Sequence, residues 1–255
     1  MRIPGDGGAG VRVIKLGGSL LDDAARRAQV LRGVAQAWKR GEPIVIVHGG
    51  GKHIDAHLKR LGLEKRTHAG LRITDDTTLE IVIAVLGGVV NKMLVSELSK
   101  MGVKAAGISG SDGGTLIADR HPHIDGVDLG NVGRVRRSDP TLVRSMLTAG
   151  FLPVVSSLAA GARGTLLNVN ADSAAAAIAA GLNATSLVFL TDVAGLLDRK
   201  GAVVASLDAD DARAMLASDV VTGGMRPKLE AALQALASGV TSIRIGEGGT
   251  SLVAA

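Results

Sequence analysis

Two glycine-rich segments, each directly after a short apolar run, are the first candidates for chemistry in this sequence. The pair 17–18 follows RVIKL (12–16), and the triplet 49–51 closely follows PIVIV (43–47). Adjacent glycines at a helix start leave backbone N–H groups uncovered, and the helix dipole favours negative charge there. Tight strand-to-helix packing could explain either loop by itself. Two such loops, with Lys15 at the end of the first run, favour a site for an anion.

Polar residues also gather at the start of two further predicted helices. Asn168, Asn170 and Asp172 come after the apolar run TLL, within five positions of one another. Asn and Asp are good helix caps, but a cap needs only one of them. Lys228 stands at the start of the other helix, where a lysine opposes the helix dipole. Lys228 is therefore either a solvated lysine or a cation that contacts a phosphate.

Familiar alternatives for a phosphate or metal site do not fit. A P-loop requires G-x-x-x-x-G-K-[ST], but Ile46 and His53 occupy two of its fixed positions. A G-x-G-x-x-G pattern in residues 5–10 lies before the first predicted strand rather than after it, so we interpret it as a tail. His121 and His123 flank a proline and are predicted to lie at the surface. We expect no metal ligand from the protein.

Composition excludes several classes of protein. The chain of 255 residues has no cysteine, which rules out disulfides, thiolate zinc sites and a cysteine nucleophile. Its net charge is +5, but Trp38, Phe151 and Phe189 are the only aromatic residues. Proteins that bind single-stranded nucleic acid stack its bases on aromatic side chains, so we expect no nucleic-acid partner. Anionic substrates or an acidic protein partner suit a positive chain better.

The N-terminal segment and the longest apolar stretch bear on location. MRIPGDGGAG lacks an apolar core of signal-peptide length, so we expect a cytoplasmic protein. The longest apolar stretch, LEIVIAVLGGVVNKMLV, is interrupted by Asn91 and Lys92, and we expect no membrane span.

Apolar runs of strand length alternate with helical patterns along the chain. Near-continuous apolar strands of this kind predict one α/β unit whose parallel sheet is covered by helices on both faces. Ligands in such sheets bind at the carboxyl ends of the strands, where this sequence has its glycines. We also expect a hairpin over 64–75 that turns near Ala69 and Gly70, a long buried helix over 77–100, and a second strand pair in TLIADRH and VGRVRRSD.

Seven short motifs stand in the order and approximate spacing of the amino acid kinase family. They are KLGGS, VHGGG, GLRITD, the GG-x-x-NK of 87–92, LNVNAD, LTDVAG and GGMRPK. The chain resembles this family from about residue 11 to its end, and most closely the N-acetylglutamate kinases, to which GLRIT and NVNAD point. The resemblance implies a three-layer αβα sandwich with an open, mainly parallel sheet. It implies a single domain over 1–255, with an acceptor-binding half at about 11–180 and a nucleotide-binding half at about 181–255.

The resemblance also implies a reaction. The γ-phosphoryl group of ATP is transferred to the side-chain carboxylate of N-acetyl-L-glutamate, a step of arginine biosynthesis. ATP binds together with Mg²⁺, which is held mainly by the oxygens of ATP itself. By similarity, Lys15 and Lys228 stabilise the transferring group from opposite ends, and Asp172 orients both lysines. Arg72 and Asn168 bind the α-carboxylate of the acceptor.

Backbone groups and the nucleotide complete the implied site. The implied phosphate and acceptor cradle consists of Gly17, Gly18, Gly50 and Gly51. The implied nucleotide-binding residues are Asp192, Val193, Ala194, Gly195, Leu196, Leu197, Val220, Val221 and Thr222. Because no aromatic residue is near them in the sequence, we expect an apolar slot for adenine.

Two other functions stay open. A kinase for an aminoadipyl or glutamyl group on an acidic carrier protein would suit the basic cluster RVRR (134–137), although Arg72 favours a free α-carboxylate. A non-catalytic small-molecule sensor on the same fold is the second alternative, which the presence of Lys15, Asp172 and Lys228 disfavours.

The quaternary structure is a further expectation from the resemblance. Arginine-inhibited relatives carry an extra N-terminal helix that links dimers into a ring. Pro4 and four glycines disfavour a helix in residues 1–10. We therefore expect a homodimer, paired through the helix over 77–100, with little inhibition by arginine.

Overall fold

A computed structural model describes residues 10–191, 194–246 and 249–253 of the chain. Its strands are β1 (Arg12–Leu16), β2 (Ile44–His48), β3 (Thr67–His68), β4 (Leu71–Arg72), β5 (Ala105–Ser109), β6 (Leu116–Arg120), β7 (Val132–Ser138), β8 (Leu152–Ser156), β9 (Leu158–Ala160), β10 (Leu166–Val169), β11 (Ser186–Leu190), β12 (Ser206–Leu207), β13 (Ser242–Ile245) and β14 (Thr250–Val253). Its α-helices are α1 (Ser19–Asp22), α2 (Ala24–Lys39), α3 (Gly51–Arg60), α4 (Asp76–Ile83), α5 (Asn91–Lys100), α6 (Thr141–Thr148), α7 (Ala171–Leu182), α8 (Ala209–Ala217) and α9 (Met225–Ala237).

Eight strands form the main sheet in the order β12-β14-β13-β11-β1-β2-β8-β5. All neighbouring pairs in it are parallel except β13 and β14. Alternate residues of the central strands enter two separate cores, as Val13 and Ile14 do on β1. One core packs on α6 to α9 and the other on α2 to α5. The predicted α/β fold with a mainly parallel sheet between two helical layers is therefore confirmed.

Four short strands form a second sheet, which closes into a small barrel in the order β10-β7-β6-β9. Its β6–β7 pair was predicted from the sequence and is antiparallel. Strands β9 and β10 were not predicted as strands, because three and four residues are too few to display an alternating pattern. The barrel delivers Asn168 and the start of α7 to the carboxyl ends of β1 and β2.

The predicted helix over 77–100 is observed as one continuous helical stretch, Asp76–Lys100. Its middle, Ala84–Val90, is a π-helix rather than an α-helix. The stretch is long and apolar enough to cross a membrane by length and composition, so Asn91 and Lys92 do not interrupt it as expected. Core helices pass the same test, and this one packs a row of leucines and valines against the main sheet. The opposite face of the helix is exposed, so the prediction of a buried helix holds for the face towards the sheet only.

The predicted hairpin is present, with β3 and β4 paired in antiparallel fashion. Ala69 and Gly70 form its turn and have φ values of 48° and 78°. Both lie in the left-handed region, which glycine adopts without strain. The hairpin stands beside the start of α3.

Glycine packing in the barrel leads to a prediction about stability. A methyl group added at Gly133 would lie 2.9 Å from Leu167 Cβ and 2.9 Å from Val169 Cγ1, in the barrel interior. Gly133→Ala should therefore lower the free energy of unfolding by about 1–3 kcal/mol, the range for overpacking. Gly33→Ala is the matched control, because Gly33 lies on α2 with no atom within 4 Å of the added methyl. That control should raise stability by up to about 1 kcal/mol. Urea denaturation of both variants measures the contrast, which equal effects would contradict.

Candidate active site

A cavity of about 400 Å³ opens where β1, β2 and β10 end. Because β1 and β2 are parallel, with Leu16 opposite His48, the glycine loops after them lie side by side. The segment from Asn168 to Asp172 forms a third wall, and the β3–β4 hairpin forms a fourth. The cavity therefore brings together the glycine loops, Arg72, Asn168, Asp172 and Lys15, which lie far apart in the sequence.

Asp172 lies between two lysines beneath this cavity. Its Oδ1 is 2.8 Å from Lys15 Nζ, and its Oδ2 is 3.3 Å from Lys228 Nζ. Burial raises the pKa of the Asp172 carboxyl, but the charges of Lys15 and Lys228 outweigh it and hold that pKa below its usual value. The three side chains come from β1, α7 and α9, so main-sheet and helix packing together place two cations around one carboxylate. Lys228 also donates to Gly224 O at 3.1 Å.

Packing requires a glycine at two positions of the loops, and backbone conformation favours one at a third. A methyl group at Gly17 would lie 2.2 Å from Lys15 Nζ. A methyl group at Gly50 would lie 2.8 Å from Leu86 Cδ2 of the π-helical segment. Gly18 has φ of +53°, and Gly51 is open to the cavity, with no atom within 4 Å of an added methyl. Gly50 begins α3 without a side-chain cap, which leaves N–H groups there for a ligand.

Arg72 lies on β4 with only 11% of its side chain exposed. Its Nη2 donates to Gly51 O at 3.2 Å and to the Asp55 carboxylate. Its Nη1 is buried without a hydrogen-bond partner in the described part of the chain, and Arg72 lines the cavity. A guanidinium nitrogen without a partner, in a residue that lines this cavity, suits a carboxylate group of a ligand.

The two asparagines of NVNAD have different positions. Asn168 lines the cavity and donates from Nδ2 to Thr74 Oγ1 at 3.1 Å. Asn170 caps α7, since its side chain accepts from the backbone N–H groups of Asp172 and Ser173. This cap leaves Asn168 and Asp172 as the polar side chains that capping does not explain.

A buried polar network under the second glycine loop was not predicted from the sequence. His48 is fully buried, its Nδ1 donates to Gly49 O at 2.9 Å, and its Nε2 accepts from Asn91 Nδ2 at 3.1 Å. Asn91 also donates to Val154 O at 2.9 Å, and thus ties α5 to the loop and to β8. Asn91 and Lys92 belong to the GG-x-x-NK motif, which supported the family resemblance but did not indicate a buried network. Asp55, Lys52 and Lys65, which also line the cavity, carried no signal in the sequence.

The segments predicted for the nucleotide lie apart from this cavity. Asp192 and Val193 fall outside the described residues. Ala194 and Leu197 are exposed, and Thr222 is exposed as well, whereas Gly195 is buried against Thr250.

The apolar residues of these segments divide into two groups. Leu196 and Val221 are buried in the core, so their side chains are not available and any ligand contact would use their backbone. Val220 lines a separate groove of about 350 Å³ with Val204, Leu207 and Met215. None of the described residues that line this groove is aromatic.

The described residues contain no group of three or more His, Cys, Asp or Glu side chains that could hold a metal ion.

The buried His48 leads to a prediction about pH. Burial lowers its pKa from 6.5 to about 4, Lys92 and His53 add to this effect, and the bond to Gly49 opposes it. The folded protein therefore binds a proton at His48 less readily than the unfolded chain. Stability from this residue is complete above pH 6.5 and should be lost as the pH falls towards 4, by roughly 3 kcal/mol at most.

The measurement is the free energy of unfolding from pH 7.5 to 4.5. His48→Gln should flatten its decline in this range, and the same change at the exposed His123 is the matched control. An equally steep decline in His48→Gln would contradict the assignment.

Comparisons with known proteins identify the family of this chain. The model of the amino acid kinase family matches residues 10–247. An acetylglutamate kinase of Methanopyrus kandleri is 45% identical over 235 residues, which cover 90% of this chain and 92% of that one. An acetylglutamate kinase of Geobacillus kaustophilus is 43% identical over 239 residues, covering 94% and 90% of the two chains. The crystal structure of smu.665 from Streptococcus mutans superposes with a TM-score of 0.83 at 29% identity, over 95% of this chain and 98% of that one. This chain belongs to the amino acid kinase family.

Proposed function

We propose that this protein is an acetylglutamate kinase, which transfers the γ-phosphoryl group of ATP to the side-chain carboxylate of N-acetyl-L-glutamate in arginine biosynthesis. The Lys15–Asp172–Lys228 arrangement at the mouth of two glycine loops is the observation that carries this proposal. Relatives that are more than 40% identical over about nine tenths of the chain bear the name of that enzyme.

The proposed chemistry needs no general base. An acceptor carboxylate is ionised at neutral pH, so one of its oxygens attacks the γ-phosphorus directly. The new O–P bond forms as the bond between that phosphorus and the β,γ-bridging oxygen breaks, and ADP leaves with the electron pair. Such a transfer depends on alignment and on stabilising the charge of the phosphoryl oxygens.

The proposed roles follow from charge and position. Lys15 and Lys228 stabilise the negative charge of the transferring and leaving groups, and Asp172 holds the lysines apart at fixed positions. The N–H groups of the two glycine loops receive the phosphoryl oxygens and the acceptor carboxylate. Arg72 binds the α-carboxylate through its free Nη1, with Asn168 beside it.

The nucleotide and the metal ion belong to the same proposal. We assign the base and ribose to the segments 192–197 and 220–222, near the apolar groove beside Val220. Mg²⁺, when bound mainly through the oxygens of ATP, supplies further neutralisation of phosphate charge.

A homodimer through the long helix stays a prediction. The exposed residues Ala84, Gly88 and Val89 of its π-helical segment are small or apolar, as an interface between copies requires. The cytoplasmic location likewise stays a prediction.

One assay separates the candidate functions. Release of ADP should be fast with N-acetylglutamate and slow with the other acceptors. Glutamate lacks the neutral acylated nitrogen, carbamate lacks the α-carboxylate, and N-acetylaminoadipate places its side-chain carboxylate one methylene further from the α-carboxylate that Arg72 is proposed to bind. A coupled enzyme assay with each acceptor at equal concentration measures this order. Turnover of none of these acceptors would contradict the proposal and favour the carrier-bound acceptor or the sensor.

The two lysines give a second test. Lys15→Ala and Lys228→Ala should each lower kcat by at least about 100-fold, the scale for losing one group that stabilises transition-state charge. The Michaelis constants should change less. Lys100→Ala is the matched control, because Lys100 is exposed and precedes β5, at the opposite end of the strands from the cavity. Near-normal kcat in either variant would exclude the proposed role of that lysine.

A further inference from the structure

The cavity wall contains a carboxylate that the proposed reaction does not use. Asp55 lies on α3, four residues after Gly51, and lines the cavity beside Arg72. A negative charge at a site for an anionic acceptor opposes binding, unless the protein neutralises that charge or needs it for another purpose.

Asp55 is held from both ends of the β3–β4 hairpin. Its Oδ2 is 2.9 Å from Nζ of Lys65, which precedes β3, and its Oδ1 accepts from Nη2 of Arg72 on β4. The two cations outweigh partial burial and keep the pKa of the Asp55 carboxyl below its usual value. One carboxylate on α3 therefore tethers β4 and the segment that leads into β3.

The same contact fixes the orientation of Arg72. Nη2 has two hydrogens, and its partners are the Asp55 carboxylate and Gly51 O at 3.2 Å. Nη1 is buried and has no hydrogen-bond partner among the described residues, and Arg72 lines the cavity. With Nη2 anchored, the plane of the guanidinium is fixed, and so is the position of Nη1.

We propose that Asp55 is a positioning residue, which anchors Arg72 with Nη1 towards the acceptor and ties the β3–β4 hairpin to α3 over the cavity. This inference rests on the proposed function for the identity of the acceptor. Because Asp55 fixes Nη2, it also sets the direction in which the guanidinium meets the carboxylate of the acceptor, and it thereby contributes to specificity.

Charge and position predict opposite effects of Asp55→Asn. Four cationic and two acidic side chains line the cavity, so removal of the Asp55 charge increases the positive excess from two to three. By charge alone, an acceptor with two carboxylates should then bind more tightly. By position, the acceptor should bind less tightly, because Arg72 and the hairpin lose their anchor.

The experiment compares Asp55→Asn with Asp22→Asn in the full-length protein. Asp22 is the matched control, because its side chain is 30% exposed, as that of Asp55 is. Asp22 also pairs with a lysine of the cavity wall, Lys52, at 3.3 Å, but it does not contact Arg72. Binding of N-acetylglutamate is measured by calorimetry, and the Michaelis constants of acceptor and ATP are measured by ADP release.

We expect Asp55→Asn to raise the acceptor Kd and KM about 10- to 100-fold, the loss when a charge-assisted contact is misplaced. The KM for ATP should change less than about threefold, and Asp22→Asn should change acceptor binding less than about threefold. Arg72→Ala should cost much less in the Asp55→Asn background than in the wild type, because the two residues act as one unit. Tighter or unchanged acceptor binding in Asp55→Asn would overturn the proposal, as would independent effects of the two changes.

Hydrogen exchange provides a readout that does not depend on the acceptor. Amides of residues 64–75 should exchange faster in Asp55→Asn than in the wild type or in Asp22→Asn, because the tether is lost. Equal exchange in all three proteins would overturn the tether. If the wild type neither binds nor phosphorylates N-acetylglutamate, the proposed function fails, and the exchange comparison still decides whether Asp55 holds the hairpin.

Discussion

The buried carboxylate of Asp172 between two ammonium groups is the constraint on which the site depends. Each ion of such a cluster loses hydration when it is buried, and only a close and well-placed partner compensates for that loss. Lys15 comes from β1, Asp172 from the first turn of α7 and Lys228 from the first turn of α9. The dipole of α7 favours Asp172, whereas that of α9 disfavours Lys228, so the carboxylate is what stabilises the second lysine there.

The packing around the site fixes the positions of these three side chains. The alanine-rich α7 packs closely on both the main sheet and α9, which fixes the distance between Asp172 and each lysine. Gly17 leaves room for the Lys15 ammonium group, and Gly50 leaves room for the π-helical segment. Under the loop, the neutral pair His48–Asn91 supplies hydrogen bonds without adding another buried charge.

Patterns over a few neighbouring residues predicted those elements of the fold and of the site that depend on neighbouring residues alone. Short apolar runs that alternate with helical patterns predicted the parallel sheet. Glycines at the ends of those runs predicted where a ligand site would form. The hairpin was predictable because Ala69-Gly70 is a turn between two polar segments. Strands β9 and β10 were too short for any periodicity, and the π-helical segment has the same composition as an apolar α-helix.

Contacts between distant residues could not be predicted in the same way. Asp55 and Arg72 are 17 positions apart, and His48 and Asn91 are 43 apart. The burial of Leu196 and Val221 likewise depends on how the C-terminal strands and helices pack together. Each of these facts is set by tertiary structure, which a single sequence reveals only through a family resemblance.

The cations around the cavity are held together by carboxylates that lie between them. Lys15, Lys52, Lys65 and Arg72 would repel one another if they stood alone around a single cavity. Asp172 separates Lys15 from Lys228, and Asp55 separates Lys65 from Arg72, so each carboxylate is bonded to two cations. The carboxylates therefore make it possible to assemble the cations before a ligand arrives, and the positive charge that remains is available to an anionic ligand. In a site built from cations alone, the side chains would become ordered only when the ligand binds.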